Sequence, residues 1–201
     1  MKSSLRAIFT FVSHNKEFLY GPRGFTSIEE MNEAIVERWN EVVGIEDEVW
    51  NLGDFALVDA SAAVTYIQRL NGRIKWVAGN HDQPMKIVTI TSSCPNVEFV
   101  GYATVIKVRK FNFYLSHYPT LTGNMNDDKK PWQRVWNLHG HTHSQEKWDS
   151  TVPLAYNVCM DAHNCYPVHI EEIISDYRNK FLFIKSENQN KMPIISDIYN
   201  T

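Results

Sequence analysis

Trp136-Asn-Leu-His-Gly-His-Thr-His143 is the stretch from which the rest of the chain can be read. Its first half has the aromatic and aliphatic residues of a short strand, and the strand stops at Gly140. His141 and His143 then stand two apart on an extended segment, which points their rings to the same side. Gly140 removes a side chain that would crowd a metal ion or a phosphate. His139, on the strand side of the turn, reads as a buried, hydrogen-bonded residue. Four of the eight histidines lie in the 27 residues from His117 to His143. Neutral imidazole is the commonest nitrogen ligand for transition metals, so their placement decides much of the chemistry.

Working outward, the same construction recurs. Glu48-Val-Trp-Asn-Leu52 reads as a strand that stops at Gly53-Asp54, and Ile74-Lys-Trp-Val77 as one that stops at Gly79-Asn80-His81-Asp82. Ala7 to Val12 is β-branched and aromatic and runs into Ser13-His14-Asn15. Thr104 to Ser116 alternates on both sides of Arg109-Lys110, which predicts an antiparallel hairpin ending at His117-Tyr118-Pro119. Ser27-Ile-Glu-Glu30 has capping-box spacing ahead of a helix over 28–42. Ala60 to Leu70 predicts a second helix, closed by Asn71-Gly72, and Ile170 to Arg178 a third. Tyr156 to Met160 is strand-like. The stretch after Asp82 reads as a Ser/Pro/Asn-rich connection, Thr120 to Arg134 as a long loop, and about 185–201 as a loosely held tail. In α/β folds the loops beyond the carboxyl ends of strands gather at one edge of the sheet. Five polar segments of this kind predict one shared site.

Length and composition bound the alternatives. A chain of 201 residues with 43% hydrophobic residues predicts a single domain over 1–201. Lys plus Arg is 20 against 23 Asp plus Glu, a net charge of −3, which argues against bulk duplex DNA or an anionic membrane as partner. Three cysteines cannot form a fully paired framework and point to a reducing, cytoplasmic setting. The apolar run Ala7–Val12 is too short for a secretion signal or a membrane span. A cysteine-based hydrolase fails on position: Cys94 stands far from every motif, and Cys159 and Cys165 flank Asp161 without a clear base.

In this order, the segments resemble the calcineurin-like metallophosphoesterase superfamily: Asp-x-His, Gly-Asp, Gly-Asn-His-Asp/Glu, an isolated His, then Gly-His-x-His. The resemblance covers roughly residues 7 to 175 and extends to Glu48-Val-Trp-Asn-Leu-Gly-Asp-Phe55, Leu115-Ser-His-Tyr-Pro119 and Leu138-His-Gly-His-Thr-His-Ser144, which look like the small bacterial and phage members. It implies an α/β fold of two packed mixed β-sheets flanked by helices, in four layers, with a two-metal centre at the sheet ends. It also implies a hydrolase for phosphodiester or phosphomonoester bonds that uses a metal-activated water. By matching position, Asp54 would bridge the metals. Asn80, His117 and His141 would complete one site, and His143 with the first-motif residues would hold the other. His81 would act as general acid or phosphate stabiliser, with Asp82 orienting its ring. Donors rich in imidazole suit Mn, Fe, Zn or Ni better than Mg or Ca.

The first motif departs from that pattern. Aligned simply, Val12-Ser13-His14 keeps the histidine and has Val where the family has Asp; slipped by two residues, His14 and Lys16 take the two places. Either way a carboxylate is missing. The site left with His14, Asp54 and His143 is then weak, or is completed by Asp161 or His163, unless Asp161 has only a supporting or turn role. The alternative is a catalytically impaired member that binds a nucleotide or phosphate, or scaffolds a complex. A small nucleotide-type ester fits the modest charge better than long DNA. Lys129, Lys130, Trp132, Arg134 and Trp136 could grip its phosphate and base, or simply form a solvated loop with its tryptophans in the core.

Overall fold

The computed structural model describes residues 5–9, 20–122 and 133–190, with side chains from 20 to 122 and from 133 to 180. His14, Lys16, Lys129, Lys130 and Trp132 lie outside the described residues, as does the tail beyond 190.

Strands β1 (Leu5–Phe9), β2 (Glu48–Leu52), β3 (Arg73–Val77) and β4 (Val97–Gly101) form one sheet in that order, all parallel. Strands β5 (Ala103–Val108), β6 (Phe111–Ser116), β7 (Val135–His139) and β8 (Ala155–Asn157) form the other. There β5 and β6 are the expected antiparallel hairpin, and β6, β7 and β8 run parallel. Only the second sheet is therefore mixed. Parallel strands place their carboxyl ends together, so the turns after β2 and β3 share one edge, and those after β6, β7 and β8 share another.

Helix α1 (Ile28–Val42) starts where the capping box predicts: Ser27 accepts the Glu30 amide, and Glu30 accepts the Thr26 amide in return. Its apolar stripe, Met31, Ile35 and Trp39, is fully buried. Helix α2 (Ala60–Ile67) is capped by Asp59, which accepts two amides, and it ends three residues short of the expected Leu70. Helix α3 (Pro84–Ser93) and strand β4 occupy the segment read as a connection. The β-branched and hydroxyl residues of α3 are weak helix formers. Burial of Ile87 and Ile90 and the first-turn Pro84 override that propensity. Helix α4 (Ile170–Asn190) runs well past the expected Arg178 and takes in 185–190 of the stretch expected as a loosely held tail.

Two cores follow from strand alternation. Val49, Ile74 and Trp76 pack with α1, α2 and α3. Trp50, Leu52 and Val77 from the same sheet join Phe113, Leu115, Trp136 and Leu138 of the second sheet, and Ile173 and Tyr177 of α4. The two sheets are thus packed together and flanked by helices. Arg134 and Trp136 are 5% and 1% exposed, so these two belong to the interior and not to a substrate-gripping loop. Among the described residues, no helix is long and apolar enough to cross a membrane.

Candidate metal centre

The site begins with two glycines that let two turns touch. A Cβ on Gly53 would fall 2.5 Å from His117 Nδ1 and 2.6 Å from the Gly79 amide nitrogen. A Cβ on Gly79 would fall 2.6 Å from the Asp54 amide nitrogen. Neither position tolerates a side chain, so the turns after β2 and β3 lie against each other.

Asp82 ties these turns together. Its carboxylate, 4% exposed, accepts the amides of Asp54 (2.7 Å), Gly79 (2.8 Å) and Phe55 (3.2 Å) and the Trp76 indole N–H (3.2 Å). Burial raises its pKa, and these N–H donors only partly offset that. These four N–H groups give Asp82 a task beyond the expected orienting of His81, holding the two turns together. The His81 amide in turn holds Asp54 Oδ1 at 2.9 Å.

The second sheet supplies the histidines. His117 follows β6 and is 2% exposed. Its Nδ1 donates to the Leu52 carbonyl at 2.8 Å, which leaves Nε2 as the nitrogen with the lone pair. That Nε2 lies 2.9 Å from Asn80 Oδ1, 3.2 Å from His141 Nδ1 and 3.3 Å from Asp54 Oδ2. The ligand atoms of Asp54, His117 and His141 all lie within 4.8 Å of one another. Asp54 Oδ2, Asn80 Oδ1 and His141 Nδ1 thus surround His117 Nε2. Such an arrangement is costly unless a proton or a cation sits among them. The ionisation of the pair says the same. Burial alone would raise the Asp54 pKa and lower that of His117. Their mutual hydrogen bond and charge reverse both, holding Asp54 below and His117 above the ordinary values. The donor set, one carboxylate, one amide oxygen and two imidazoles, fits a divalent transition metal.

His143 is not among the three ligands of this cluster, and the segment expected to be extended instead turns, with φ +66° at His141 and +48° at His143. Its Nδ1 lies 3.2 Å from Asp161 Oδ2 and 3.2 Å from Arg23 Nη2. Arg23 donates from Nε to Asp161 Oδ1 at 2.8 Å and from Nη2 to Asp161 Oδ2 at 2.9 Å, a bidentate pair 3% and 10% exposed. Both oxygens of Asp161 are therefore committed to Arg23 and His143, which gives it the supporting role. Burial opposes its charge, but the His143 ring and the Arg23 guanidinium hold its pKa below the ordinary value. His163 does not reach the site: its Nε2 donates to the Asn157 carbonyl at 2.9 Å. His139 is buried, with Nδ1 donating to the Gly140 carbonyl at 2.8 Å. Among the described residues the Asp54 cluster is the one group of three or more acidic, histidine or cysteine ligands with this spacing.

Arg23 was not legible as a site residue. It lies 138 positions from Asp161, and a lone arginine beside Pro22 and Gly24 reads as part of a turn.

Two packed sheets with histidine, asparagine and aspartate turns meeting at their carboxyl edges match the class of metal-dependent phosphoesterases. The chain belongs to the calcineurin-like phosphoesterase superfamily, whose domain description matches residues 30–157. It is 29% identical over 181 residues to an uncharacterized protein of Methanocaldococcus jannaschii, covering 85% of this chain and 91% of that one. It is 28% identical over 163 residues to the gene 66 protein of Mycobacterium phage D29, covering 71% and 82%. Among solved structures it resembles a protein of unknown function from Aquifex aeolicus, with a TM-score of 0.60, 20% identity and coverage of 84% and 98%.

Proposed function

We propose that this cytoplasmic protein hydrolyses a phosphodiester or phosphomonoester bond of a small nucleotide-type ester, with one or two Mn, Fe, Zn or Ni ions as cofactor. The observation that carries the reading is the convergence of Asp54 Oδ2, Asn80 Oδ1 and His141 Nδ1 on the lone pair of His117 Nε2. Asp54, Asn80, His117 and His141 would hold the ion. When bound, it supplies positive charge to the phosphoryl oxygens and an activated water. Asn80 contributes a neutral oxygen, which limits the anionic charge facing the ester. Asp82 and Gly79 hold Asp54 in place. His81 stands beside Asn80 with an exposed side chain, and we assign it delivery of a proton to the leaving oxygen. The Arg23–Asp161 pair fixes the His143 ring.

Metal analysis of purified protein, with hydrolysis of bis-p-nitrophenyl phosphate in added Mn, tests the proposal. Turnover that is lost on chelation and in Asp54→Ala is expected. No turnover with any divalent ion refutes the hydrolase. Bound metal without turnover would instead identify a phosphate-binding or scaffolding module, the reading favoured by the missing first-motif carboxylate.

A further inference from the structure

A cavity of about 540 Å³ opens beside the centre and shares Asn80 and His117 with it. Its volume falls within the roughly 300–1,000 Å³ usual for small-molecule sites. Its walls include Tyr102, Tyr114 and Tyr118, with Gln83 as a neutral hydrogen-bonding group. No lysine or arginine is among the described residues that line it, and the one carboxylate, Asp82, is already occupied by four N–H donors.

The tyrosines are placed for contact with a ligand. Tyr118 stands edge-on to both ligand imidazoles, with ring centroids 4.5 Å from His141 and 5.1 Å from His117. Tyr102 follows Gly101 in the link from one sheet to the other and is 67% exposed, with Phe99 edge-on to its ring at 6.1 Å. Tyr118 is 48% exposed. Large aromatic rings left open beside a concave polar centre offer faces and edges on which a flat ligand can pack. Neutral aromatic walls recognise a flat, uncharged aromatic group, whereas a second phosphate or a sugar acid would need cations.

Building on the metal-dependent reading above, we infer that this cavity binds the base of a nucleotide ester whose phosphate lies at Asp54, Asn80, His117 and His141. Tyr102 and Tyr118 stack on or border the base, and Gln83 bonds to its edge. Specificity then comes from the β4–β5 link and the segment after β6.

Calorimetry on the full Mn-loaded chain tests this with two probes, adenosine 5′-monophosphate and ribose 5-phosphate, which differ only by the base. The nucleotide is expected to bind roughly 5- to 100-fold tighter. Tyr102→Ala, at an exposed position, should erase most of that gap and leave ribose 5-phosphate affinity unchanged. Tyr118→Leu gives a second reading on the other wall. Equal affinity of the two probes in the parent, or a gap untouched by both variants, overturns the inference while metal binding and hydrolysis stand. A chain that takes up no metal overturns the functional reading instead, and base selectivity measured with adenosine alone still decides whether the cavity binds a base.

Discussion

Gly79→Ala should damage the metal centre far more than its size suggests. The added Cβ would fall 2.6 Å from the Asp54 amide nitrogen and 2.9 Å from Asp54 Cγ, closer still to Oδ1, where ordinary contact begins at 3.4 Å. Asp54 cannot yield easily. Its amide is held by Asp82 and its Oδ1 by the His81 amide. Relieving the overlap therefore means moving the Asp54 amide nitrogen by about 0.8 Å and the carboxylate carbon by about 0.5 Å, whereas ligand positions must hold to roughly 0.2 Å. Overpacking of this kind costs about 1–3 kcal/mol of stability, and a misplaced ligand should weaken metal binding about 10- to 100-fold. Gly24 provides the control. It has φ +85° and nothing within 4 Å of the place a Cβ would take, so Gly24→Ala should cost about 1 kcal/mol through backbone strain alone. Urea titrations and Mn calorimetry on both variants separate the two causes. Parent-like Mn affinity in Gly79→Ala, within about two-fold, would refute the argument that contact between the turns positions Asp54.

Removing metal with a chelator should lower the melting temperature, because an ion present at 100 times its dissociation constant adds about 2.7 kcal/mol. For a chain of this length that is a shift of about 5–11 °C, measurable by scanning calorimetry, and Asp54→Asn should abolish the difference. Arg23→Met strands the buried Asp161 carboxylate and should cost about 3–5 kcal/mol in urea unfolding. Adding Asp161→Asn to it should recover a large part of that loss; a double variant no more stable than Arg23→Met would show that the buried charge is not the cause.

How much of this was readable from sequence depends on the distance over which each inference had to reach. Strands β2, β3 and β7 and their terminal Gly-Asp, Gly-Asn-His-Asp and Gly-His-Thr-His turns are local patterns, and they placed the Asp54 cluster. The hairpin β5–β6 was legible because alternation around Arg109-Lys110 is also local. Helix α3 was not, since Thr89, Thr91, Ser92 and Ser93 argue against a helix and only tertiary burial of Ile87 and Ile90 decides for one. The task of Asp82 was hidden for a related reason. A carboxylate beside a histidine looks like its orienting partner, but its donors include Asp54 and Phe55, 28 and 27 residues upstream, and nothing in the sequence marks that contact. Arg23 and Asp161 show the same limit at longer range.

The backbone at the ligands explains why so much of the fold serves them. Asp54, His141 and His143 adopt φ +50°, +66° and +48°, the left-handed region that costs about 1–2 kcal/mol for a residue with a Cβ. Aspartate and histidine tolerate it better than branched residues do, yet two such residues in the cluster and a third beside it are a concentrated cost. The surrounding structure must hold them there, and it does: Gly53 and Gly79 let the turns close, Asp82 gathers four N–H groups, and the Arg23–Asp161 pair pins His143. The turns are thus set by contacts within the chain itself. A cation held by Asp54, Asn80, His117 and His141, as proposed above, would offset the crowding of their polar atoms. The folding free energy of the protein thus carries the strain of these turns.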